Sequence, residues 1–185
     1  MAISELELVS QAQKGSRAAF DELVSRHQQR VYALAYRILG AAEDASDIQQ
    51  ETFIRAWLSL KKFRGQAAFY TWLHRITVNL CLSRKRKLSS SVEVLPFDEN
   101  IRQSVEPGVA TCAQSVETTV MVRAALSTVP APCRALLVLR DIEGRPYEEI
   151  ARIVGGSIES VRTRLSRARK MLRERMRPYL EEEET

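Results

Sequence analysis

The chain has 185 residues, 28 Lys and Arg against 23 Asp and Glu, and a formal net charge of +5 at pH 7. With 45% apolar and 28% charged residues it has a globular composition, enough for one ordinary domain or two small ones, and neither a fibrous nor a disordered chain. No apolar run approaches the ~20 residues of a membrane span, and Met1-Ala2-Ile3-Ser4-Glu5 lacks a basic segment leading into an apolar one, so neither membrane insertion nor a secretory leader is expected and the location reads as cytoplasmic.

In chain order, Phe20, Leu23, Val24, His27, Val31, Leu34, Ala35 and Ile38 recur at helical steps, and Gly40 can close that helix in a left-handed cap. A second helix is predicted from Glu43-Asp44, whose acids suit a helix N-terminus, to about residue 60, with Ile48, Thr52, Trp57 and Leu58 as its apolar positions. Residues 63–69 read as a loop broken by Gly65, and 70–87 as a third helix. Between 88 and 117, Ser89-Ser90-Ser91, Pro96, Pro107 and Gly108 accompany the acids Glu93, Asp98, Glu99, Glu106 and Glu117 against the single base Arg102. No period persists there, which marks a linker between two domains. Beyond it, helices are predicted over 116–129, 132–141, 146–154 and 158–177, with Gly144 and Gly155-Gly156-Ser157 as breaks. The fold class is therefore all-α: two small helical domains, 1–88 and 117–180, joined by an acidic linker at 89–116, the second domain a helix-turn-helix, with an acidic tail at 181–185.

Cys81, Cys112 and Cys133 are odd in number and widely spaced, and only His27 and His74 offer imidazoles. That pattern predicts reduced thiols with no disulfide, metal or cofactor.

Three constellations carry functional information. In 147–161, Ala151 is small enough for two helices to approach, Gly155 takes the turn and Val161 packs the second helix on the first, which is helix-turn-helix spacing. Ser157 or a neighbour can cap that second helix. From 161 to 177 there are eight bases against one acid, Glu174, donors suited to guanine edges and phosphates. In 63–87, Phe63, Phe69, Tyr70, Trp72 and His74 interleave with Arg64, Arg75, Arg84, Lys85, Arg86 and Lys87. Aromatic faces beside cations suit single-stranded nucleic acid, although the same residues, Trp72 in particular, also suit a helical core with a solvated basic end. In 47–57, Asp47, Gln50 and Glu51 share a polar helix face, which by spacing alone is simply a solvated one.

In this order the segments resemble the bacterial sigma factors, in particular the two-domain extracytoplasmic-function group. The resemblance runs from Ala19-Phe20 to about Met176. It rests on Asp47-Ile-Gln-Gln-Glu-Thr-Phe-Ile-Arg-Ala-Trp57, Phe63-Arg-Gly65, Phe69-Tyr-Thr-Trp-Leu-His-Arg-Ile76, Tyr147-Glu-Glu-Ile-Ala151 and Val161-Arg-Thr-Arg-Leu-Ser-Arg-Ala-Arg169. The resemblance implies a non-enzymatic promoter-specificity subunit whose partners are core RNA polymerase (β and β′ subunits), promoter DNA and an anti-sigma factor. It implies that Asp47, Gln50 and Glu51 dock on the β′ clamp helices. Phe63, Arg64 and the loop to Phe69 would receive a base flipped from the minus-10 element, with Ser59, His74, Ile76, Asn79 and Ser83 around it. Arg140, Arg162, Thr163, Ser166 and Arg167 would contact the minus-35 element, while Arg169, Lys170 and Arg173 would hold phosphates.

Two other readings remain at this level. A stand-alone helix-turn-helix regulator leaves the Asp47 face and the aromatic-basic helix without a purpose. A recombinase-like enzyme needs a nucleophile on a mixed fold, and the first half offers neither strands nor a convincing nucleophile.

Overall fold

The computed structural model describes residues 3–89 and 116–181, and all regular structure among them is helical. The linker predicted at 89–116 lies, apart from its two end residues, outside the described residues, as does the tail beyond 181. The chain divides into two compact units, Met1–Cys81 and Leu82–Thr185.

The first unit opens with a helix that the apolar periodicity does not announce, α1 (Glu5–Gln13). Its start is a capping box. Ser4 Oγ accepts from the Glu7 backbone N–H at 3.3 Å, and the Glu7 carboxylate accepts from the Ser4 N–H at 3.0 Å. The Ser4 backbone and hydroxyl hydrogen bonds hold the Glu7 carboxyl below its ordinary range. Leu8, Val9 and Ala12 turn inward onto α2 (Arg17–Leu39), whose Ser16 cap accepts from Ala19 N–H and whose Gly40 stands at φ 81°, a left-handed stop that side-chain-bearing residues resist. Helix α3 (Ala42–Ser59) also packs on α2 and ends in a tight 3₁₀ turn, Leu60–Lys62. Helix α4 (Phe69–Ser89) completes the core through Phe69 and Leu73, which join Phe20, Leu23, Phe53 and Leu60 in one buried cluster. Enclosing each such side chain is worth ~1.5–3 kcal/mol. His27, read from sequence as one more member of an apolar stripe, is buried with its Nε2 2.8 Å from the Glu5 carboxylate, so it also fastens α1 to α2.

The boundary between the units falls inside α4, seven residues before the end of the domain expected from sequence. Cys81 is fully enclosed, whereas residues 82–85 are half-buried, so the helix leaves its core at that point. Burial pushes the Cys81 thiol up to about 12, and burial likewise raises that of Cys133.

In the second unit, α5 (Val116–Thr128), α6 (Ala131–Leu137) and α7 (Tyr147–Val154) all pack on α8 (Ile158–Glu181). The helix expected over 132–141 does not run evenly. After Leu137 it widens into a π-type turn, Val138–Ile142, closed by Glu143 N–H donating to the Val138 carbonyl at 2.9 Å. The α7–α8 turn follows the spacing: Gly155 takes φ 77°, Ser157 Oγ accepts from Ser160 N–H at 3.1 Å, and Ala151 and Val161 are buried. Arg134 is only 5% exposed. Its guanidinium donates to the carbonyls of Ser127 and Val129, closing the end of α5, and burial lowers its pKa.

Removing that guanidinium strands buried carbonyls. Arg134→Leu should destabilise the second unit by about 2 kcal/mol in urea unfolding of the full chain, and Arg134→Lys, which lacks the two-pronged donor, should recover only part of the loss.

Candidate functional site

Three helix faces point away from the two cores. On α3, Ala45, Ile48, Thr52 and Ala56 are buried. At ~100° per residue the opposite face gathers Asp47, Gln50, Glu51, Ile54 and Leu58 within roughly a third of a turn. Asp47 and Gln50 are exposed, and the Glu51 carboxylate accepts from Arg55 Nε at 2.6 Å. Below this polar half lies an apolar one: Ile54 is 55% and Leu58 75% exposed, and Trp57 beside them leans on Phe20 at 4.9 Å between ring centroids. The sequence pattern puts Trp57 and Leu58 on the buried stripe. They are turned outward because the step of four from Ile48 through Thr52 to Ala56 defines the inner face. The face is legible in the same period, since 47, 51, 54 and 58 also follow steps of three and four.

The second face combines the 60–64 turn with α4. Gln13, at the end of α1, donates through Nε2 to the carbonyls of Leu60 (3.0 Å) and Phe63 (2.7 Å), fixing the turn that carries Phe63. The half-buried Phe63 ring lies 5.1 Å from Trp72 and 5.8 Å from Phe69. Along α4, half-buried Trp72 and Ile76, which pack against the core cluster, share a stripe with exposed Asn79, flanked by exposed Arg75. Of the residues expected around a flipped base, this surface brings together Phe63, Ile76 and Asn79, with Arg64 exposed beside the turn, while half-buried Ser83 falls in the second unit. Neither Phe69 nor His74 is exposed on it. Phe69 is core, and His74, 0% exposed, points about 140° away from Asn79 because five residues separate them. Its Nδ1–H donates to the Tyr70 carbonyl at 3.1 Å and its ring lies 3.8 Å from that of Tyr70. The Ser59 hydroxyl donates to the Arg55 carbonyl at 2.5 Å. Trp72, which the sequence suits equally to a core, is the residue this surface adds.

The third face belongs to α8. Val161, Leu165 and Ala168 are buried, and exposed Arg162, Ser166, Lys170 and Arg173 line the opposite side. Thr163 donates to the Glu159 carbonyl at 3.1 Å, while Arg167 is half-buried and displaced by about 140° from Arg162. Arg140, on the wide turn, donates to the Arg145 carbonyl at 2.7 Å and stands 4.5 Å above the Tyr147 ring, with Arg162 5.4 Å from the same ring. Arg169, expected on phosphates with Lys170, instead grips Asp141 with both Nη2 (2.5 Å) and Nε (3.2 Å).

The sequence matches Sigma-70 region 2 over residues 23–91 and Sigma-70 region 4 over residues 119–172. It is 34% identical to the RNA polymerase sigma-H factor of Pseudomonas aeruginosa over 95% of each chain, and 33% identical to the ECF RNA polymerase sigma-E factor of Haemophilus influenzae over 96% of this chain and 98% of that one. The chain belongs to the extracytoplasmic-function sigma factors. The fold agrees. CnrH, solved in complex with the cytosolic domain of CnrY, superposes with a TM-score of 0.61 at 28% identity, covering 89% of this chain and 92% of that one. As a sigma factor the chain initiates transcription with RNA polymerase, and the helical architecture expected from sequence is the one found. No described helix is long and apolar enough to cross a membrane. In this sigma factor the first two faces fall within the segment matching region 2, apart from Gln13, and the third within that matching region 4, apart from Arg173.

Gln13 lies ahead of the matched region yet holds the Phe63 turn. Gln13→Ala should cost about 1 kcal/mol and speed amide hydrogen exchange at Phe63, whose N–H donates to Leu60 O at 3.0 Å, while the helical circular dichroism stays near that of the parent.

Proposed function

We propose that the sigma factor divides promoter recognition among the three faces. Residues Asp47, Gln50 and Glu51 dock on the β′ clamp helices of core polymerase, and the apolar continuation at Ile54 and Leu58 enlarges that contact. A polar face alone gains little from burial, whereas two exposed aliphatic side chains next to it add apolar area to the same interface. Phe63, Trp72, Ile76 and Asn79 form the receiving surface for a base extruded from the minus-10 element: ring faces for stacking, an amide for the base edge, and Arg64 and Arg75 for the backbone. Phe69 serves it from behind, packed against Phe63 and Trp72. Ser59 stands at its margin.

The observation that carries the reading is the outward stripe of α8. Arg162, Ser166, Lys170 and Arg173 stand opposite Val161, Leu165 and Ala168 on the second helix of a helix-turn-helix. That supports a recognition helix in the major groove of the minus-35 element, with Arg162 near its N-terminus on a base and Lys170 and Arg173 further along on phosphates. Arg140, Thr163 and Arg167 flank it. No bond chemistry is assigned to the chain, which lends recognition and strand opening to the polymerase in the cytoplasm. The complex of CnrH with a cytosolic domain of another protein supports capture of this chain by an anti-sigma factor. A stand-alone regulator would have no use for the mixed polar and apolar face of α3.

Core docking is tested with purified core polymerase. Glu51→Lys and Leu58→Asp alter exposed or half-buried side chains, so melting should stay within about 0.5 kcal/mol of the parent, while affinity for core falls tenfold or more in each. Parent-like affinity in both folded variants would remove α3 from the interface. Promoter reading is tested by binding minus-35 variants at several salt concentrations. Arg162→Ala should lose ~1–3 kcal/mol of discrimination at one base pair, and Arg173→Ala should weaken all sequences alike and lower the salt slope by about one.

A further inference from the structure

The charges around the start of α7 are not distributed evenly. Arg145 is paired with Glu143 (3.5 Å) and Glu149 (3.3 Å), and Arg169 with Asp141. Among the described residues, neither Arg140 nor Arg162 has a carboxylate partner. Both instead lie on one ring, that of Tyr147, at 4.5 Å and 5.4 Å. Arg140 is also fixed by its hydrogen bond to the Arg145 carbonyl. Arg169 is held by Asp141, and their mutual hydrogen bond is the main reason the Arg169 pKa is raised.

A solvent-exposed arginine has many rotamers, and each one it must surrender on binding weakens the complex. A ring face restricts the guanidinium by cation–π attraction without neutralising it, which a carboxylate would do. Two uncompensated guanidiniums on a single ring repel each other, an arrangement that becomes favourable when an anion or an acceptor-rich edge arrives between or beside them. The N7 and O6 acceptors of guanine and a neighbouring phosphate have that chemistry.

We propose that Tyr147 is a positioning residue for minus-35 recognition: its ring holds the Arg162 and Arg140 guanidiniums, still charged, in the orientation that meets a base edge and the adjacent phosphate. The Asp141–Arg169 pair withholds a third cation from the DNA. This rests on the reading of α8 as the recognition helix. It adds a residue of α7 that the sequence used only as part of the helix-turn-helix pattern, and it gives Arg140, on a different element, a reason to act together with Arg162.

The test uses holoenzyme reconstituted from the full chain and core polymerase, with competition among promoters varied one base pair at a time across the minus-35 element. Arg162→Ala first identifies the base pair that residue reads. At that pair, Tyr147→Leu should lower the preference by about three- to five-fold, as expected for loss of an exposed cation–π contact. Tyr147→Phe, which keeps the ring, should restore most of it. The double variant Tyr147→Leu/Arg162→Ala should lose no more preference than Arg162→Ala alone, a coupling that a purely structural role would not produce. A folded Tyr147→Leu with the parent's preference, or losses that simply add in the double variant, would overturn the proposal and leave the recognition helix standing. Arg162→Ala without effect at any base pair would overturn the recognition reading and the proposal with it. Should Tyr147→Leu not fold, the side-chain protons of Arg162 in the parent decide. Upfield ring-current shifts, assigned with Arg162→Lys, are expected, and random-coil positions would refute the platform.

Discussion

What the two units offer to a partner is set by the rotation of three helices about their own axes. Each of α3, α4 and α8 buries one stripe, and that burial fixes the opposite stripe as the presented one. For α8 the inner stripe is Val161, Leu165 and Ala168, all at 1% exposure or less. Rotating the helix by one residue, about 100°, would expose those side chains and bury arginines without partners. At ~1.5–3 kcal/mol for each large apolar side chain and more for an unpaired charge, such a rotation is out of reach of a domain whose whole stability is ~5–15 kcal/mol. The presented surface is therefore a by-product of core packing, held as firmly as the core itself.

The same logic explains how charge is managed in the second unit. Five of its arginines fall into three groups by what they touch. Arg134 is buried and serves backbone carbonyls; Arg145 and Arg169 are matched by carboxylates; Arg140 and Arg162 rest on an aromatic face. The first group holds the fold, the second joins elements, and the third keeps its charge outward. Composition alone cannot distinguish them, since an arginine in a basic segment looks the same whichever group it belongs to.

Much of the fold can be read from the sequence, because the period of the apolar residues is the physical cause of the helices and Gly40, Gly155 and Pro146 mark their ends. Helix α1 escapes that period for an identifiable reason. Its inward residues Leu8, Val9 and Ala12 span only about one turn, too short a run for periodicity, and its signal is the Ser4–Glu7 capping box instead. At the candidate site, spacing brings Asp47, Gln50 and Glu51 to one face and identifies the α7–α8 turn. What it cannot resolve are questions of side. Apolar character alone puts Leu58 and Trp57 inward, and the family likeness groups His74 with Asn79, although at five residues apart the two occupy different faces of α4. The bonds of Gln13 to Leu60 and Phe63, 47 and 50 residues away in sequence, leave no local trace at all. Nor does the pairing of Asp141 with Arg169, which needs the packed unit to exist.

The widened turn at Val138–Ile142 gives the second unit an unusual vulnerability. A π-type turn contains one residue more than the α-helix would use to climb the same distance, so the side chains after it are out of phase with those before it. Arg140 lies within that turn and stands over Tyr147. Most substitutions there would change a side chain and leave the phase alone. Deleting one residue would let the backbone close into ordinary helix, with all its hydrogen bonds satisfied, while swinging the residues beyond the turn by about 100°. This is a stretch of chain in which length, more than residue identity, carries the information.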